Sequence, residues 1–74
     1  MKLAVFQKLY DSEINFSVKC FWDGGFDVRL GDDMNGTRAE TNVRTWAEVN
    51  RWLRTEAARA YPGSRFAQRY SGLD

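Results

Sequence analysis

The stretch INFSVKCFWDGGFDVRLGDDMNGTRAETNVR, residues 14–44, decides the fold. Ile14, Phe16, Val18, Cys20 and Trp22 alternate with Asn15, Ser17, Lys19 and Phe21, the period-2 pattern of a half-buried strand. Phe26, Val28 and Leu30 repeat the pattern around Asp27 and Arg29. Between the two runs lies Asp23-Gly24-Gly25. A two-residue loop there would set apolar positions of one strand against polar positions of the other. A three-residue loop, with Gly25 as its left-handed last residue, pairs Trp22 with Phe26, Cys20 with Val28 and Val18 with Leu30 on one face.

Asn35-Gly36 marks a second hairpin turn, the strongest short signal for one. Taken as a two-residue turn, it pairs Leu30 with Thr41 and Val28 with Val43 on the buried face. The outer face then sets Asp33 against Arg38 and Asp27 against Arg44. Opposite charges directly across a sheet contribute about 0.2–1 kcal/mol each. Both turns bury the same face, so the expected unit is a three-stranded antiparallel meander.

Outward from the sheet, Thr45-Trp46-Ala47-Glu48 is a capping box: Thr45 can accept from the amide three residues on, and Glu48 can reach back. Trp46, Val49, Leu53, Ala57, Ala60 and Tyr61 then share one face at helical spacing, with Trp52 at its edge and Arg51, Arg54 and Thr55 opposite. This predicts an amphipathic helix over 46–61 whose stripe covers a sheet, stopped by Pro62-Gly63. Ser64 can cap a short final helix over 65–71, with Phe66 and Tyr70 one turn apart and Gly72 at its end.

Residues 2–10 fit two patterns. As a helix, Leu3, Val5, Phe6, Leu9 and Tyr10 share a side. As a fourth strand, Leu9 faces Ile14, Val5 faces Val18 and Leu3 faces Cys20. The helix is preferred, because a strand would put Gln7 in a core position. The expected fold is α+β: one small domain over 1–74, an antiparallel meander packed on the helix of 46–61. The expected core is Phe16, Val18, Cys20, Trp22, Phe26, Val28, Leu30, Val43, Trp46, Val49, Leu53 and Ala57.

Composition narrows the function classes. The chain has 74 residues, 43% hydrophobic, with three tryptophans, enough apolar surface to argue against disorder. One cysteine and no histidine leave no internal disulfide and no usual zinc set. The commonest general base is missing, as are Ser-His and Cys-His pairs. No phosphate-binding or dinucleotide-binding glycine pattern occurs, and no cofactor is expected. Asp23, Asp27, Asp32 and Asp33 lack the ligand order of a calcium loop and read as turn and cross-strand residues. Cys20, at an inward strand position, reads as an inert small hydrophobe. No apolar run approaches the roughly 18 residues of a membrane span. With no signal-peptide pattern at the N-terminus, the expected location is cytoplasmic.

Net charge is +1, but unevenly spread. Residues 1–40 carry five Lys/Arg and seven Asp/Glu, whereas residues 41–74 carry six Arg and three Asp/Glu. The outer sheet face is expected to present Lys19, Arg29, Arg38 and Arg44 around Phe21, with Asp27, Asp33 and Glu40 among them. An aromatic among cations on an open sheet is one way to hold single-stranded nucleic acid; the acids cancel most of that charge. Arg51 and Arg54 on the helix extend the candidate surface. If residues 2–10 are helical, the order α-β-β-β-α resembles that of double-stranded-RNA-binding domains. Those carry a lysine-rich start to the second helix; here that start is Trp46-Ala47-Glu48-Val49, so the resemblance is one of element order and brings no site residues. The expectation is a non-enzymatic protein-interaction module that binds an unknown protein or a second copy, with nucleic-acid binding as the alternative.

Overall fold

A computed structural model describes residues 3–70. Lys2, Ser71 and Gly72, at the expected ends of the first and last helices, lie outside them. The element order is α1 (Leu3–Asp11), β1 (Phe16–Phe21), β2 (Gly25–Asp32), β3 (Gly36–Val43), α2 (Trp46–Ala60) and α3 (Arg65–Tyr70). The strands form one antiparallel sheet in the order β1-β2-β3. The fold is α+β, and the first segment is helix rather than a fourth strand.

α1 ends in a left-handed cap. The Glu13 amide donates to the Tyr10 carbonyl at 3.0 Å and the Ile14 amide to the Leu9 carbonyl at 3.0 Å. These are the paired bonds of a Schellman motif. Glu13 holds φ at 61°, where glycine is usual. Leu9 and Ile14, bracketing the motif, are both buried, so the apolar contact that accompanies such caps directs the chain from α1 into β1.

Both hairpins keep the expected facing but differ in register. β1 and β2 pair Phe16 with Leu30, Val18 with Val28 and Cys20 with Phe26, two residues from the expected pairing. The Gly24 amide donates to the Phe21 carbonyl at 3.0 Å, and Gly25 follows at φ 82°. The loop is therefore Trp22-Asp23-Gly24, and Trp22 sits at its tip, 95% exposed, instead of in the core. Cys20, one place from the end of an edge strand, is exposed as well. A two-residue slip returns every side chain to its original face, which is why the facing survives.

The second turn slips for a different reason. Asp32 accepts from the Met34 amide at 2.9 Å and the Asn35 amide at 2.6 Å, an Asx-type turn that lengthens the loop to Asp33-Met34-Asn35. Val28 then pairs with Thr41 and Phe26 with Val43. A bulge follows at Leu30/Gly31, where Leu30 pairs with Ala39 but Gly31 with Thr37. Arg38 is thus the extra residue on β3. Gly31 has φ 101°, and a Cβ there would collide with the Gly36 carbonyl oxygen and lie 3.0 Å from the Arg38 amide. Only glycine fits this crossing.

The helices cover one face of the sheet. Val28 and Leu30 from β2 meet Val49, Leu53 and Ala57 from α2, all essentially inaccessible. Val5, Leu9, Ile14, Phe66 and Ala67 complete the buried set, which reaches into α1 and α3 beyond the expected core. Phe16, Val18, Phe26, Val43 and Trp46 are half-buried around it. Aromatic rings join the layers: Phe6 lies 5.4 Å from Phe16 and 5.8 Å from Trp46, and Trp46 lies 4.8 Å from Phe26. α2 begins with the expected capping box. Glu48 donates its amide to Thr45 Oγ1 at 3.2 Å, and its carboxylate accepts from the Thr45 amide at 3.0 Å. Among the described residues, no helix is long and apolar enough to cross a membrane.

Candidate functional site

The outer sheet face carries rows set by the strand register. Ser17 lies beside Arg29 and Arg29 beside Glu40; Lys19 lies beside Asp27 and Asp27 beside Asn42. These residues line a shallow depression of about 400 Å³. Two of its cross-strand contacts are explicit. Arg29 Nε is 3.2 Å from Glu40 Oε2, and Asn42 Nδ2 donates to Asp27 Oδ1 at 2.6 Å and to the Gly24 carbonyl at 2.9 Å. The expected cross-strand pair of Asp27 with Arg44 is therefore replaced by Asp27 with Asn42.

Of the remaining candidate cations, Arg44 continues this face, beside Gly25 in the row of Phe21, and the others do not converge on it. Arg38, re-aimed by the bulge, places its guanidinium 5.5 Å from the centre of the Tyr61 ring, so it does not meet Asp33. The Arg44 side chain lies against Gly25, where an added Cβ would approach its Nη1 to 2.7 Å. Arg51 lines a separate shallow groove with Val43, Glu48 and Trp52, and Arg54, on the same helix, is half-buried. A further cleft between α1 and α3 holds Lys8, Arg65 and Arg69 together with Asp11.

Two carboxylates have perturbed acidity, and both serve local structure. The Asn35 amide, followed by the Asn35 and Asn15 side chains and the Met34 amide, holds the Asp32 carboxyl below its ordinary value. The Arg44 amide, with the Thr45 hydroxyl and amide and the charge of Arg51, does the same to Glu48. One carboxylate closes the β2–β3 turn; the other caps α2.

Of the exposed large apolar side chains, Phe21 and Trp22 adjoin at the end of β1, while Tyr10 lies in α1 and Met34 in the β2–β3 turn. Cys20 is exposed, Phe21 is 47% exposed and Trp22 is 95% exposed. β1 is also a sheet edge. The Gly31 amide bonds to the Asn15 carbonyl at 2.8 Å, so Asn15 and Gly31 form a hydrogen-bonded pair. In an antiparallel ladder such pairs alternate with non-bonded ones. Ser17, Lys19 and Phe21 therefore bond to β2, while the amides and carbonyls of Phe16, Val18 and Cys20 point to the open edge. The other edge, β3, carries Arg38, Glu40 and Asn42, the charged and polar kind of edge that resists pairing. β1 has one charge, Lys19, in Phe16–Phe21.

Of the sequence-expected surface, Lys19 and Phe21 belong to this edge; Arg29, Arg38, Arg44, Arg51 and Arg54 do not. Trp22 and Cys20 were expected inside. The signal for Trp22 was present: Gly24 suits the fourth position of a type I turn over Phe21-Trp22-Asp23-Gly24, with Gly25 free to take the left-handed place. Compared with protein families, with curated proteins and with solved structures, the chain matches none of them.

Proposed function

We propose that this chain is a non-enzymatic, cytoplasmic protein-interaction module whose contact surface is the β1 edge and the turn that ends it. The carrying observation is the coincidence of two features on one strand. The contiguous apolar residues Cys20, Phe21 and Trp22 are solvent-facing, and among the described residues no strand pairs with the outer row of backbone groups on the same strand. Contiguous exposed apolar surface and an uncovered edge are both recurrent marks of association. On the outer face Lys19 and Arg29 stand among Asp27 and Glu40, with Arg29 paired to Glu40 at 3.2 Å; that mixed charge favours this reading over nucleic-acid binding, which relies on an excess of cations to neutralise phosphates.

The test compares the wild-type chain with a Phe21→Ser/Trp22→Ser double variant. Partners are captured from source-cell lysate, and the contact is mapped by amide hydrogen exchange. The reading expects a protein retained by the wild type, lost by the variant, and protecting residues 16–22. Retention equal in both, or protection confined to other elements, overturns it. A salt-sensitive NMR response of Lys19, Arg29 and Arg44 to RNA or single-stranded DNA, without protection of β1, would overturn it in favour of the nucleic-acid reading.

A further inference from the structure

We infer that β1 pairs antiparallel with β1 of a second copy, centred on Val18, joining two meanders into one continuous sheet. This rests on the interaction-module reading and names its partner. The argument is one of self-complementarity. Along β1, Phe16, Val18 and Cys20 direct their backbone groups outward, and they are evenly spaced about Val18. With Val18 opposite Val18 of the second copy, Phe16 falls opposite its Cys20, and all three residues exchange both backbone bonds.

Other registers fit less well. Centring on Lys19 sets two ammonium groups directly across from each other, which is destabilising. Centring on Ser17 pairs Phe16 with Val18 but moves Cys20 opposite Ile14, beyond the start of β1. Centring on Cys20 moves Val18 opposite Trp22, which lies in the turn rather than on the strand. In the Val18 register, Lys19 faces Ser17 of the second copy and Phe21 faces its Asn15, so no like charges oppose. The exposed Phe21-Trp22 pair is carried beside residues 14–15 of the other chain and loses solvent contact. β3 offers no equivalent: its outward-pointing residues include Glu40, and a pairing centred there would set two carboxylates directly across from each other, which is destabilising.

The register can be read by disulfide trapping in a Cys20→Ser background. Ser17 and Lys19 are exposed outer-face positions, so Ser17→Cys and Lys19→Cys leave the core alone. Directly opposed non-bonded positions lie about 4.5 Å apart between Cα atoms, within disulfide reach. Diagonal positions lie at about 7–8 Å, outside it. The proposal expects an equimolar mixture of the two variants, distinguishable by mass, to give the mixed disulfide at least several-fold above either homodimer. It also expects the wild-type sedimentation mass to rise toward twice the monomer's with concentration. Cys20→Pro, which removes an outward amide on an edge strand where proline is tolerated, should stay folded and lose that rise.

Dominant cross-linking of Lys19→Cys alone, or equal cross-linking of all pairs, overturns the register. A wild-type chain that remains monomeric at every concentration overturns self-pairing altogether. In that last case a lysate protein protecting residues 16–22 would still uphold the interaction reading, and its absence would end both.

Discussion

Glu13→Gly should stabilise this domain, which reverses the usual sign of a substitution. Glu13 is the left-handed residue of the Schellman cap that closes α1, at φ 61°, and its side chain is exposed. An L-residue in that region costs roughly 1–2 kcal/mol. Glycine removes the cost but gives the unfolded chain more freedom, worth about 0.5–1 kcal/mol. The net expectation is about 0.5–1 kcal/mol of added stability. For a domain of this size that raises Tm by about 2–8 °C. Thermal melts followed by far-ultraviolet circular dichroism, with urea titrations alongside, measure it. Glu13→Gln is the control for lost charge and should change little. Glu13→Val, β-branched and intolerant of positive φ, should lower Tm. If Glu13→Gly destabilises, or merely matches Glu13→Gln, the left-handed cap is not what joins α1 to β1.

Further outcomes follow from other local features. Gly31→Ala meets the Gly36 carbonyl and an unfavourable φ, so it should cost about 2–4 kcal/mol in urea titration; a loss under about 0.5 kcal/mol would contradict the bulge. Asn50 is 6% exposed, donates to the Trp46 carbonyl at 3.0 Å, and has no donor to its Oδ1 among the described residues. Asn50→Leu should therefore raise stability by about 1–2 kcal/mol, and a clear loss would mean that the oxygen is engaged. Because the folded state holds the Glu48 carboxyl below its ordinary 4.5, its charge stabilises the fold fully above that pH. That contribution fades as pH falls through the lowered folded value. The urea midpoint of wild type should exceed that of Glu48→Gln near neutrality, and the gap should close on acidification below pH 4.5; a gap independent of pH would refute the capping role of the charge.

What the sequence shows about this fold depends on the range of the interaction that sets each feature. The alternation of Phe16 to Leu30 identifies the buried face because burial acts on every second residue. It cannot separate registers that differ by two, since both keep the same residues inside. The choice between them rests on single hydrogen bonds, Gly24 to Phe21 in one turn and Asn35 to Asp32 in the other. The capping box of Thr45 and Glu48 was legible because its residue types are specific to its geometry. The cap at Glu13 was not, because its usual glycine is missing. Ile14 read as a strand residue and proved to be the apolar anchor of that cap.

The candidate surface was legible only in part for the same reason. Lys19 and Phe21 fall on the outer face in either register. Trp22 changes from core residue to turn tip with a two-residue slip. Arg38 leaves the face through a bulge that no alternation pattern announces, required by Gly31 and read out in its contact with Tyr61.

Amide hydrogen exchange along β1, followed by NMR as the protein is concentrated, tests the central claim most directly. In dilute solution the amides of Ser17, Lys19 and Phe21, bonded to β2, should be protected, while those of Phe16, Val18 and Cys20 exchange rapidly. On concentration the second set should gain protection together, converting an alternating strand into a uniformly protected one. An alternation that persists unchanged at every concentration, or new protection appearing at Glu40 and Asn42 on the opposite edge, would contradict the claim that β1 is the surface through which this chain associates.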